Sequence, residues 1–160
     1  MKNIIWLLIL MCGIVSVQAQ SIKLPVECKK ILDKRYGRWK IGKIPKDVEA
    51  YHKEVKSPFE PYLIKGDWNG DGKTDYAILI RHRNKNKTIA FIRQKTGYKF
   101  YNLEGGDYIQ VFKKGEKDYD YTSDKDFTYK NDSIFVGFGE CCGSSFIWRK
   151  GKFVGVVTSD

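Results

Sequence analysis

Asp67-Trp68-Asn69-Gly70-Asp71-Gly72-Lys73-Thr74-Asp75 places oxygen-bearing side chains at its first, third, fifth and ninth positions and glycines at its fourth and sixth. Calcium is a hard cation that takes roughly six to eight oxygen ligands, and donors spaced in this way, with the carbonyl of position seven, converge when the backbone curls tightly. Here the donors are Asp67, Asn69, Asp71 and Asp75, with the Lys73 carbonyl. Gly70 and Gly72 supply the positive φ angles that such a curl needs. The metal-free alternative is a hairpin turn on Asn69-Gly70 or Asp71-Gly72, both strong hairpin signals. A turn does not account for the other acids, and three carboxylates so close together repel one another unless a cation sits among them.

Reading outward, position twelve of a helix-flanked calcium loop is a bidentate Glu, and here it is Ile78. The segment after the loop reads as a strand: Tyr76 to Ile80 is a continuous apolar run, too short for a helix and suited to cover on both faces. Pro61 to Lys65 reads as a strand before it. The piece from about Tyr62 to Ile80 therefore resembles the calcium loops of FG-GAP and VCBS repeats, strand-loop-strand elements also found in integrin α-chain propellers. The resemblance implies calcium as a cofactor, Asp67, Asn69, Asp71 and Asp75 as side-chain ligands, and Lys73 as a carbonyl ligand. It covers about an eighth of the chain. A propeller is excluded, since each blade takes roughly forty residues, at least four are required, and the loop occurs once.

Residues 1–19 read as a signal peptide, with Lys2 as a minimal basic region, an apolar stretch from Ile4 to Val17 and small residues before a cut at Gln20. A lipid anchor on Cys12 is disfavoured by Met11, where that processing wants a small residue. The expected product is one domain, residues 20–160, secreted or periplasmic and not an integral membrane protein. Pro25 opens a helix with Cys28, Ile31, Leu32 and Tyr36 on one face, and Gly37 ends it. A second short helix follows Pro45, burying Val48, Tyr51 and Val55 with His52 at the edge. From Tyr62 on, short strands alternate with turns and close on a hairpin from Ser144 to Phe153. The expected fold class is α+β, one or two N-terminal helices packed on an antiparallel, meander-like sheet. Hairpin and loop together resemble small exported bacterial proteins, a resemblance that implies no activity.

Cys28, Cys141 and Cys142 remain after the leader, and export favours at least one disulfide among them. Neighbours in a strand point to opposite faces, so only one of Cys141 and Cys142 readily faces Cys28. A vicinal bond between Cys141 and Cys142 is the competing arrangement. With only His52 and His82 in the chain, zinc and a thiol nucleophile both lack partners.

The leader carries one Lys and no acid, so the net charge of +10 falls to +9 over the remaining 141 residues. That charge draws an exported protein to anionic envelope polymers or glycans, while export points away from nucleic acid. Arg81, Arg83, Lys85 and Lys87 form the best candidate contact for a polyanion, set against a solvated hairpin tip. No catalytic constellation is present. The sequence therefore reads as an exported, calcium-binding structural or binding protein and not an enzyme. The alternatives are an inhibitor or immunity-type protein directed at an exported enzyme, and a hydrolase whose carboxylates are scattered along the chain.

Overall fold

The structure, a computed structural model, describes residues 23–54, 61–140 and 142–159. The expected signal peptide, Cys12, Val55 and Cys141 lie outside the described residues. Helix α1 (Val26–Tyr36) starts after Pro25 and ends at Gly37, whose φ of 57° is the left-handed stop that glycine adopts without strain. Helix α2 is Lys46–Glu54. One sheet holds β1 (Lys40–Ile41), β2 (Leu63–Gly66), β3 (Asp75–His82), β4 (Lys85–Arg93) and β5 (Tyr98–Asn102). The chain then crosses to a second sheet through β6 (Tyr108–Phe112), makes a separate hairpin from β7 (Lys117–Asp120) and β8 (Lys125–Thr128), and completes the second sheet with β9 (Ser133–Phe138), β10 (Cys142–Arg149) and β11 (Lys152–Ser159).

The expected α+β class is corrected by this architecture, which is dominated by antiparallel sheet: eleven strands against two short helices among the described residues. A single meander is corrected too. β3-β4-β5 and β9-β10-β11 are each meanders, but they belong to different sheets, and β6 joins the second by pairing with β9. The pleat explains why two sheets form. Alternate residues of a strand face opposite sides, so Ala77 and Leu79 of β3, Ala90 and Ile92 of β4, Ile109 of β6 and Ile134 and Val136 of β9 build the core between the sheets. The intervening Ile78, Ile80, Ile89 and Phe91 face the other way and are covered by Cys28 and Leu32 of α1. Tyr108 and Phe135, on the outer side of the second sheet, are covered by Val48 of α2. The order of layers is thus α1, first sheet, second sheet, α2. Each helix buries only two residues, Cys28 with Leu32 and Val48 with His52, so both act as covers on a sheet-built core.

Two local expectations change for the same reason. Tyr51 is exposed, and His52 takes the inward position of α2, its ring 4.9 Å from that of Tyr108. The expected bridge from Cys28 is not made: Cys28 is free and fully buried. It lies on the α1 side of the first sheet, whereas Cys142 belongs to β10 in the second, so a sheet and the inter-sheet core intervene. Burial, with Glu27 adding to it, pushes the Cys28 thiol up to about 12. Cys28 is therefore not the bridge partner of Cys142.

Candidate functional site

The loop between β2 and β3 curls around the Asp67 carboxylate. Asp67 Oδ1 accepts the N–H groups of Gly70 (2.8 Å) and Asp71 (3.1 Å), and Oδ2 accepts that of Gly72 (2.8 Å). Gly70 and Gly72 adopt φ of 76° and 78°, the left-handed region the curl requires. Asn69 Oδ1 accepts from the Asp71 N–H at 3.2 Å, and Asp71 Oδ1 accepts from the Lys73 N–H at 3.0 Å. The Lys73 ammonium lies 3.3 Å from Asp71 Oδ2. Slight burial opposes ionisation of Asp71, but the Lys73 N–H, the Asn69 side chain and the Lys73 charge outweigh it and hold the carboxyl below its usual range.

Asp75 is different. It is fully buried, its Oδ2 accepting the Trp68 N–H at 2.9 Å and its Oδ1 the Arg93 N–H at 2.7 Å. One carboxylate thus ties the start of the loop to the end of β4. Burial pushes Asp75 up to about 6, against the pull of those two N–H groups and with the help of the Asp71 and Asp67 charges. No cation of the protein pairs with it among the described residues. Trp68 anchors the other side of the loop, fully buried in the core between the sheets and packed so closely on Gly66 that a Cβ there would meet its ring at 2.3 Å.

The second sheet reaches the loop through residues whose local sequence shows only a turn. Asp132 Oδ2 accepts the Asp67 N–H at 3.2 Å and a hydrogen bond from Lys113 Nζ at 3.1 Å, while Oδ1 accepts the Lys114 N–H at 3.1 Å. Partial burial raises the Asp132 carboxyl, but the Lys114 N–H, Lys113 and the Asp67 N–H outweigh it and hold it below its usual range. The Asn131 amide donates to the Trp68 carbonyl at 3.4 Å, and a Cβ on Gly70 would come within 2.5 Å of Asn131 Oδ1. No local signal links positions more than sixty residues apart, so only the packed sheets reveal this contact.

In donor type and backbone curl the loop fits calcium. Asp67, Asn69, Asp71 and the Lys73 carbonyl are hard oxygen donors, and a carboxylate oxygen that accepts one N–H, as Asp67 Oδ2 does from Gly72, keeps a second lone pair. The donors are not converged, however: among the described residues no three His, Cys, Asp or Glu side chains are gathered as a formed metal site. Asn69 and Asp71, engaged with the loop's own N–H groups, would have to turn inward for a cation to be held. Asp75 underlies the loop and sets its shape.

The four candidate polyanion residues are split by the hairpin between β3 and β4. Arg83 and Asn84 form its tip at φ of 51° and 61°. Arg81 and Lys85 line a groove of about 400 Å³ together with Lys43, Asn84, Asn86 and the Gly105-Gly106 segment. Lys87 is not among the residues that line this groove. Lys43, brought in by the two-residue strand β1, takes its place. Asn86 frames the groove: its Nδ2 donates to the carbonyls of Lys43 and Gly106, both at 2.9 Å, and its Oδ1 accepts the Lys43 N–H at 3.2 Å. Asp107, the acid of the groove, has its Oδ2 turned to the Gly139 N–H at 2.9 Å.

A larger cleft of about 540 Å³ lies beside Asn131 and Asp132, between Phe127, Trp148 and Arg149. Two acids of the hairpin between β7 and β8 are engaged locally. Asp120 accepts from Thr122 and Ser123, and Asp118 accepts from the Tyr129 hydroxyl, which also meets Ser145 Oγ at 2.6 Å. Both histidines pack on tyrosines, His52 on Tyr108 and His82 on Tyr36 at 5.3 Å. No helix among the described residues is long and apolar enough to cross a membrane. No family model matches the chain, and comparison with curated proteins and with solved structures finds no similar protein.

Proposed function

We propose that this is an exported, non-catalytic binding protein whose 67–75 loop takes calcium and thereby braces the joint between its two sheets. The observation that carries the reading is the placement of the loop. Trp68 is sunk between the sheets, Asp67 and Gly70 meet the turn before β9, and Asp75 is buried against β4. A cation held by Asp67, Asn69, Asp71 and the Lys73 carbonyl would offset the mutual repulsion of Asp67, Asp71 and Asp75 and stiffen a segment on which both sheets rely. The likeness to FG-GAP and VCBS loops supports the same reading. Calcium in this role supplies charge and rigidity.

Calcium hardly binds the unfolded chain, so it adds stability by linkage. At tenfold excess over the dissociation constant this contributes about 1.4 kcal/mol. Calorimetric melts in chelator and in excess calcium test the proposal. The midpoint should rise with calcium, Asp71→Ala should abolish the rise, and Asp124→Ala should leave it intact. Identical midpoints for the parent protein in the two conditions would overturn the site.

A further inference from the structure

The groove at the hairpin between β3 and β4 gathers three cations from separate parts of the chain: Lys43 after β1, Arg81 at the end of β3 and Lys85 at the start of β4. None of them forms an ion pair among the described residues. A solvated hairpin tip needs no tertiary scaffold, yet here the Asn86 amide makes three hydrogen bonds that fix the Lys43 segment and the Gly105-Gly106 segment against the hairpin. A Cβ on Gly105 would lie 2.4 Å from the Asn86 carbonyl oxygen, so the glycine lets the two backbones close the groove floor. Lys43, Arg81 and Lys85 therefore line one concave surface, whose single acid among the described residues, Asp107, accepts the Gly139 N–H.

We propose that this groove binds a strand of acidic polysaccharide, with Lys43, Arg81 and Lys85 taking its carboxylate or sulfate groups and the exposed Arg83 at the tip extending the contact. The geometry favours a sugar polymer over single-stranded nucleic acid. Strand-binding grooves for nucleic acid combine positive charge with aromatic platforms for base stacking. The aromatic residue of this groove, Phe138, instead packs against the core between the sheets. The proposal rests on reading the chain as an exported binding protein, but not on calcium, since the groove shares no residue with the 67–75 loop.

Calorimetric titration with heparin, a sulfated polysaccharide, at several salt concentrations tests this on the parent protein and two variants of equal charge. One is Lys43→Gln/Arg81→Gln/Lys85→Gln. The other, on the exposed side of α1, is Lys29→Gln/Lys30→Gln/Lys34→Gln. The groove variant should bind more weakly and show a flatter dependence of log affinity on log salt, by roughly one unit of slope for each cation removed. The α1 variant should stay close to the parent. Equal weakening of the two variants would reduce the effect to net charge and overturn the groove, as would absence of heparin binding by the parent. Tighter binding of single-stranded DNA than of heparin, with the same loss in the groove variant, would overturn the choice of polysaccharide. Melts with and without calcium separate this failure from that of the loop, because all three proteins should keep the same calcium response.

Discussion

Asp75→Asn, measured in chelator as a function of pH, probes the buried carboxylate under the loop. In the folded protein this carboxyl is raised from 3.8 to about 6. The neutral form is therefore favoured by folding: the associated stability is fully present below the unfolded value near 3.8 and is lost as pH rises through about 6. Linkage over the interval from pH 7 to pH 5 gives about 1.3 kcal/mol of stabilisation on acidification. For a domain of this size that is a rise in melting midpoint of roughly 3–5 °C. His52 acts in the opposite direction, because burial lowers its imidazole and the fold loses stability as pH falls below the ordinary histidine range. The difference between parent and variant isolates Asp75 from that background. The amide introduced by Asp75→Asn would set an NH2 group against one of the N–H donors of Trp68 and Arg93, which costs about 1–3 kcal/mol at every pH. That penalty changes the level of the curve but not its slope. Thermal melts at pH 7 and pH 5 should show the Asp75 contribution in the parent, its absence in the variant, and its suppression by saturating calcium. Parallel pH profiles for parent and variant in chelator would refute the picture of Asp75 as a costly buried charge.

Lys73→Gln should raise calcium affinity by up to about fivefold, since it removes an exposed competitor worth about 0–1 kcal/mol while the backbone ligand stays in place; a calcium titration reads this directly. Trp68→Ala should cost about 3–5 kcal/mol of stability in denaturant unfolding, because its ring is fully buried between the sheets. Cys28 should resist alkylation in the native protein and react only after unfolding, and non-reducing peptide maps should recover it unbridged while Cys142 is recovered in a disulfide.

Elements are legible wherever the local pattern is strong. The Pro25 and Gly37 boundaries place α1, and the alternation of turns with short apolar runs places most of the strands, because these signals depend on backbone preferences of neighbouring residues. The strand that escapes such reading is β1, only two residues long. The fold class is not legible because both faces of β3, β4 and β9 are apolar. Such runs require cover on each side but do not say whether a helix or a second sheet supplies it.

The nine residues from Asp67 to Asp75 determine by themselves the curl of the loop and the chemistry of its donors, since glycine φ angles and carboxylate oxygens are local properties. Tertiary structure alone decided that Asp75 is buried and bonded to β4, that Asp132 clasps the loop from the other sheet, and that Lys43 rather than Lys87 shares a surface with Arg81 and Lys85. It also separated Cys28 from Cys142 by placing them in different layers. The physical reason is the same in each case. Burial, hydrogen bonding across distant segments and the sharing of a sheet face are set by register and layer order, and those emerge only when the two sheets close on their common core.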